Sequence, residues 1–216
     1  MATAYSQVRG IDPDFEVQLL DAIDKWIERD LRPVIMEHDH GDIWPAETVK
    51  QMAELGLFGA TIGEEWGGLG LPATTYAKII ARISSFWMAP TGIFNSHLIC
   101  AMAIEKFGTP AQKAKWLPKM AAGEIRGGLA LTEPNAGTDL QAIRTIATRD
   151  GEDYVINGSK TWISNGVQGS CFALLVKTDP KAEPRYKGMS LFIAPKGPGF
   201  GVGKKFEKLG YKAIDS

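Results

Sequence analysis

The sequence predicts an α+β protein by segregated domains: an all-α N-terminal domain over residues 1–123, then an antiparallel, barrel-like β domain over residues 124–216. Two observations carry this reading. Apolar residues recur at helical spacing as far as Gly123, and beyond it short alternating runs are parted by Gly, Asn and Asp turns. A third bounds it: the 216 residues are 44% hydrophobic and 23% charged, the make-up of a chain that folds.

The first helix starts where Asp12 caps and Pro13 takes the first helical position, where a missing N–H costs nothing. Leu19, Ile23, Trp26, Ile27 and Leu31 then form one apolar stripe, which Pro33 should end or kink. Pro45 opens a second helix with Val49, Met52 and Leu55 on one face and Gly56 as its stop. A segment rich in glycine (Gly63, Gly67, Gly68, Gly70) precedes helices from Pro72 to Trp87 and from Pro90 to Phe107. Thr109 and Gln112 read as a capping box with Pro110 at the first position, opening a fifth helix that carries Trp116, Leu117 and Met120.

From Gly127 the pattern is β. Strands are expected at Leu129 to Thr132, Ile143 to Thr148, Tyr154 to Ile156, Thr161 to Ile163, Phe172 to Val176 and Met189 to Ile193. Asp150-Gly151 and Asn157-Gly158 read as hairpin turns, since both pairs tolerate positive φ. Pro180 and Pro184 mark an exposed loop, Gly197 to Gly203 a connector, and Lys204-Lys205-Phe206 a further strand. The chain stops at Ile214-Asp215-Ser216 without a turn or cap, so the β domain is expected to be truncated.

Composition and motifs exclude several chemistries. Lys plus Arg is 24 and Asp plus Glu is 25, a net charge of −1, which gives no electrostatic reason for a nucleic acid or anionic membrane partner. No stretch approaches the roughly 18 apolar residues of a membrane span, and Met1 to Asp12 lacks the apolar core of a secretory leader. The two cysteines, Cys100 and Cys171, lie far apart and form no disulfide framework, which points to a reducing, cytoplasmic location. Cys171 begins an apolar run and reads as packing. His38 and His40, two apart, do not share a helix face and read as solvated; His97 reads as a satisfied core residue, so no metal is expected. Gly158-Ser159-Lys160-Thr161 has the wrong order for a phosphate loop, Gly197 to Gly203 lacks the dinucleotide spacing, and no Gly-x-Ser-x-Gly elbow occurs.

Two segments stand out. Leu129 to Asp139 joins a buried strand to a loop in which Pro134, Asn135 and Gly137 let the backbone turn tightly and present N–H groups beside the Thr132 and Thr138 hydroxyls. In Lys160 to Gly166, Trp162 offers a flat aromatic face and Ser164 a donor on the same side of an expected strand. Together they suit the polar edge of a planar ligand or a phosphate. A plain surface loop and a core tryptophan are the alternatives.

At these residues the sequence resembles the acyl-CoA dehydrogenase family. The resemblance spans nearly the whole chain: Glu64-Glu65-Trp66-Gly67-Gly68-Leu69-Gly70, Phe107-Gly108-Thr109, Leu131 to Asp139, Asn157 to Gly166 and Lys208-Leu209-Gly210-Tyr211. Thr138 stands where many members have Ser and Ser164 where many have Thr; both keep the hydroxyl. The resemblance implies a helical domain and a β domain, followed by a C-terminal four-helix domain lacking here. It implies FAD between the β domain and those helices, usually in a homotetramer, or a homodimer. It also implies α,β-desaturation of an acyl-CoA thioester, with a carboxylate taking the α-proton, hydride passing to flavin N5, and a separate electron-transfer acceptor.

Carried over by position, the resemblance has Leu129, Leu131 and Thr132 lining the flavin, with Thr132 bonding its polar edge. Gly137 and Thr138 allow close backbone approach, Thr138 lying near the cofactor phosphates or the acyl-CoA substrate. Trp162 and Ile163 pack the ring system and Ser164 bonds near N5. Glu133 is not the base, which the resemblance places beyond Ser216, so no catalytic residue is assigned in the chain. An oxidase or monooxygenase of the same fold, or a non-catalytic chain that binds flavin or acyl-CoA, are the competing readings.

Overall fold

A computed structural model of the chain describes residues 10–216. The leader question over Met1 to Asp12 therefore lies, for residues 1–9, outside the described residues. Helix α1 (Pro13–Trp26) starts as the sequence predicts: the Asp12 carboxylate accepts from the amides of Asp14 at 2.8 Å and Phe15 at 3.5 Å. Ile23, Trp26, Ile27 and Leu31 are buried, and Leu19 is half-buried. The helix then widens into a π turn, Ile27–Leu31, immediately before Pro33. Pro33 has no N–H to continue the ladder and its ring crowds the preceding turn, so the chain leaves the helix there.

A short helix that the apolar pattern does not reveal follows, α2 (Ile35–Gly41), ended by Asp42 at φ 51°. Its interior has no buried residue, hence no stripe to detect. His38 lies on it, its Nδ1 3.2 Å from the Ile43 carbonyl, and His40 is exposed. Helix α3 (Ala46–Glu54) buries Val49 and Met52 and stops before Gly56, at φ 71°. Helices α4 (Ala73–Phe86) and α5 (Met88–Phe107) follow the predicted spans within a few residues.

Helix α6 (Pro110–Ala121) has the full reciprocal cap, Gln112 N–H to the Thr109 hydroxyl at 3.2 Å and Thr109 N–H to the Gln112 side chain at 2.8 Å. Thr109→Ala removes one half of it. The variant is expected to lose about 1 kcal/mol, read from urea unfolding midpoints; an unchanged midpoint would show that the exposed cap contributes nothing.

These helices enclose a core in which Phe58, Ile79, Ile83, Ile93, Phe94, Leu117 and Met120 are wholly buried. Helix α5 is the hub, because it also carries the sheet. His97 sits inside it, with its Nε2 3.0 Å from the Phe58 carbonyl and its Nδ1 3.0 Å from the Gly127 amide. The Gly127 N–H can only donate, so Nδ1 accepts, and the proton resides on Nε2. This is the satisfied core histidine the sequence predicts. A Cβ on Gly127 would fall 2.9 Å from Cys100 Cβ and Sγ, so only glycine lets the first strand press this close to α5. The two cysteines, remote in sequence, meet in the core thiol to thiol, and both are free.

The second half is a five-stranded sheet: β1 (Gly127–Ala130), β2 (Ile146–Asp150), β3 (Asp153–Asn157), β4 (Cys171–Lys177) and β5 (Met189–Pro195). The order helices-then-sheet is as the sequence predicts, but the sheet is mixed and open rather than antiparallel and barrel-like. β5 runs antiparallel along one edge of β4. β1 pairs with the other edge in parallel from Gly127↔Cys171 to Ala130↔Leu174, and β2 joins that edge at Ile146↔Lys177. A parallel pair needs a long connection, and the segment from Leu131 to Ser170 provides it.

The Asp150-Gly151 turn closes the β2–β3 hairpin, with Gly151 at φ 61°. Asn157-Gly158 makes no hairpin. Gly158 is at φ 153°, and a Cβ there would sit 2.3 Å from the Thr145 hydroxyl, so the glycine serves a crossing over Thr145 instead. Thr161 to Ile163 and Lys204 to Phe206 are not strands. Among the described residues no helix is long and apolar enough to cross a membrane.

Candidate functional site

The chain leaves β1 at Leu131 and Thr132, both half-buried, and doubles back on itself. Pro134 and Asn135 form the bend, closed by Glu133 N–H to the Ala136 carbonyl at 2.8 Å and the reverse bond at 3.1 Å. The bend turns the Glu133 side chain inward, where it is 7% exposed. Its carboxylate accepts from the backbone amides of Arg144 (2.6 Å) and Thr145 (2.9 Å), the Thr145 hydroxyl (2.6 Å) and the Lys160 ammonium (2.8 Å). Burial opposes ionisation, but the Lys160 and Thr145 side chains and the two amides outweigh it and hold the carboxyl at a pKa of about 2.

Lys160 also donates to the Leu131 carbonyl at 2.9 Å, 29 residues away in sequence. Beside it the Thr161 amide donates to the Thr132 carbonyl at 2.9 Å. The two segments singled out by sequence are therefore one structure, joined by three hydrogen bonds from Lys160 and Thr161.

From this junction Trp162 projects outward. It is 59% exposed and lies face to face with Phe206, ring centres 4.1 Å apart. The core-tryptophan alternative fails on that exposure. The expectation that Trp162 and Ser164 share a strand face is also corrected. Trp162 has φ 58°, and Ser164 lies in a turn, half-buried, its carbonyl against Gly128. Ile163 lines the same cleft as Trp162, a space of about 1110 Å³ also bounded by Phe172, Phe200 and Phe206. Leu129 is half-buried and packs against the helical core, while Gly137 and Thr138 lie exposed on the loop.

Sequence reasoning misses two residues that set this loop. Asn165, wholly buried at φ 63°, donates through Nδ2 to the Ile93 carbonyl (2.9 Å) and the Gly127 carbonyl (2.8 Å), tying the loop to α5 and β1. An asparagine before a glycine, as in Asn165-Gly166, is the available signal, because asparagine tolerates the left-handed region. Asp215 accepts from the Val167 and Gln168 amides and ties the chain's end to the same loop. Nothing local in sequence announces a partner that far away.

The donor set suits a flat ligand with polar edges. Among the described residues none bonds the hydroxyl of Thr132, Thr138 or Ser164, and Trp162, next in the chain after the Thr161–Thr132 bond, presents a broad aromatic surface; none of the three hydroxyl residues lines the cleft that Trp162 borders. No group of three or more His, Cys, Asp or Glu able to hold a metal occurs among the described residues.

Comparison with known proteins agrees with this architecture. Residues 13–124 match the family described as acyl-CoA dehydrogenase, N-terminal domain, and residues 128–216 match acyl-CoA dehydrogenase, middle domain. A protein of Anaerotignum propionicum named acryloyl-CoA reductase (NADH) is 43% identical over 86% of this chain and 48% of its own length. The short-chain specific acyl-CoA dehydrogenase of Clostridium acetobutylicum is 38% identical over 88% of this chain and 50% of its own. The structure of butyryl-CoA dehydrogenase from Megasphaera elsdenii superposes with a TM-score of 0.88 at 31% identity, over 96% of this chain and 55% of that one. The chain thus spans about half the length of these relatives. With residues 13–124 and 128–216 matched by the two family regions and the helical-then-sheet fold in place, the chain belongs to the acyl-CoA dehydrogenase family.

Proposed function

We propose that the chain supplies the flavin-binding part of a FAD-dependent α,β-dehydrogenation of an acyl-CoA thioester. The observation that carries this is the junction of Thr132 with Thr161 beside the outward-facing Trp162, in a chain of this family. FAD, when bound, supplies the acceptor for the hydride that leaves the β-carbon. The chain's residues bind and orient. Trp162 and Ile163 give an apolar surface for the ring system, and the Thr132 and Ser164 hydroxyls give donors for its polar edge. Leu129 and Leu131 shape the floor. Gly137 and Thr138 permit close approach of phosphates or of the acyl-CoA.

Glu133 is no general base. Its carboxylate is engaged by four donors, and a pKa of about 2 makes it a poor proton acceptor near neutral pH. We assign no base within the chain. The substrate is an acyl-CoA and the electrons leave to a separate electron-transfer acceptor. The assembly is a homotetramer or homodimer, and the setting is a reducing, cytoplasmic one.

The test is a titration of the chain with FAD, followed by flavin absorbance and tryptophan fluorescence. Uptake of one FAD per chain is expected; no uptake, by fresh protein or after refolding with FAD, overturns the reading. The chain alone is expected not to oxidise any saturated acyl-CoA with a dye acceptor, and turnover would return Glu133 as a candidate base. The relative named acryloyl-CoA reductase (NADH) supports a second reading, net reduction at the same site. NADH oxidation coupled to an unsaturated thioester is its signature.

A further inference from the structure

The Lys160–Glu133 pair lies outside the proposed roles, yet it is the most heavily engaged polar cluster next to the site. Both side chains are nearly wholly buried, at 9% and 7% exposure. Burying two charges costs several kcal/mol each before they attract one another, so a pair that only stabilised the fold would be a poor use of the position. The geometry shows what else it does. One ammonium group reaches the Leu131 carbonyl and the Glu133 carboxylate, on either side of Thr132. The next residue, Thr161, bonds the Thr132 carbonyl itself. Thr132 is thereby held on three consecutive residues, while its own hydroxyl has no partner among the described residues. Glu133 extends the grip, because the amides and hydroxyl it accepts belong to Arg144 and Thr145, at the entry to β2.

We infer that Lys160 and Glu133 form a positioning clamp. It fixes the Thr132 hydroxyl and the Trp162 ring in one relative orientation, so that a bound flavin meets both preorganised rather than ordering them on binding. This rests on the proposed flavin site. Lys160 lines the cleft and Glu133 does not; the clamp itself acts through Thr132 and Trp162. The consequence is a binding advantage, since loops already ordered lose less entropy when the ligand arrives.

The experiment compares wild type with Lys160→Met and Lys160→Arg. Methionine keeps the length and apolar stem and leaves Glu133 three of its four donors, so the variant disturbs the fold less than Glu133→Ala, which strips every bond of the cluster, and circular dichroism checks that it is folded. Three quantities are read: FAD affinity, the visible spectrum of bound flavin, and hydrogen exchange at the Thr161 amide without cofactor.

Lys160→Met removes both ammonium hydrogen bonds, to Leu131 and Glu133, and is expected to weaken FAD binding about tenfold and to blur the bound-flavin band structure. It should also speed Thr161 exchange about tenfold while leaving the Gly127 amide, bonded to His97, unchanged. Lys160→Arg, which keeps a donor cation, should recover most of the affinity and spectrum. Wild-type affinity and spectrum in Lys160→Met overturn the proposal, even with faster exchange, because the pair then serves the fold alone. Wild-type exchange in that variant overturns it as well. If the wild-type chain takes no FAD, the function reading falls first, and the exchange arm, which needs no cofactor, decides the clamp.

Discussion

Trp162→Ala is expected to weaken FAD binding by about 2–4 kcal/mol, roughly a 30- to 1000-fold rise in Kd, while leaving the ligand-free protein nearly as stable as before. The two halves of this expectation have separate causes. The ring is mostly exposed, so its loss removes little from the core. Its stack on Phe206 is worth about 0.5–1.5 kcal/mol at most. Against a ligand ring the same surface would be fully desolvated, and its loss felt in full. Alanine also keeps a Cβ at the positive φ of this position, so backbone strain is common to both proteins. Titrations and melting curves in the absence of FAD separate the effects. Equal losses of Tm with and without FAD would assign Trp162 to the fold. Ser164→Ala, by contrast, should nearly spare binding and instead slow flavin reduction or shift its potential, since it deletes one donor and little surface.

The second large effect is with pH. Burial drives His97 down to a pKa of about 4, and the hydrogen bonds from its surroundings do not restore it. In the unfolded chain it titrates near 6.5. Between those values the unfolded state takes a proton that the native state refuses, so stability is complete above pH 6.5 and falls as pH drops to 4. A gap of about 2.5 units corresponds to roughly 3 kcal/mol. Glu133 adds to the loss in a lower window, from 4.5 down to about 2, as its carboxylate is protonated and its four bonds weaken. Urea midpoints measured from pH 7 to pH 4 check this. His97→Gln, which can keep one donor and one acceptor but does not titrate, should flatten the upper window. A wild-type profile already flat between pH 6.5 and 4.5 would contradict the assignment.

The helical half is readable because its signals are local: a cap at Asp12, a stop at Pro33, a reciprocal box at Thr109 and apolar stripes of the right period. Helix α2 escapes because it buries no side chain. The strands are also visible as runs, but their pairing is not, because β1 and β4 meet across forty intervening residues and neither run states its direction. Asn157-Gly158 misleads for a specific reason: glycine is needed there for close passage over Thr145, and turn chemistry and tight crossing leave the same residue. At the site, the two segments and their aromatic and hydroxyl groups stand out in sequence. The wiring between them does not. In sequence Lys160 looks like part of a spoiled phosphate loop and Glu133 like a rejected base, and only the fold shows that they bind each other.

The bonds that cross from helices to sheet bear on where this chain can be cut. The sequence changes texture near Gly123, and an engineer would divide the chain there. Yet His97 commits one ring nitrogen to Phe58 and the other to Gly127, and Asn165 divides its amide between Ile93 and Gly127. Severing the halves would break the Gly127–His97 and Asn165–Ile93 bonds and open to water the apolar seam between α5 and the first strand. The compositional seam is thus not a mechanical one: the halves should melt together in a single calorimetric peak, and neither should be obtainable alone as a soluble, protease-resistant piece.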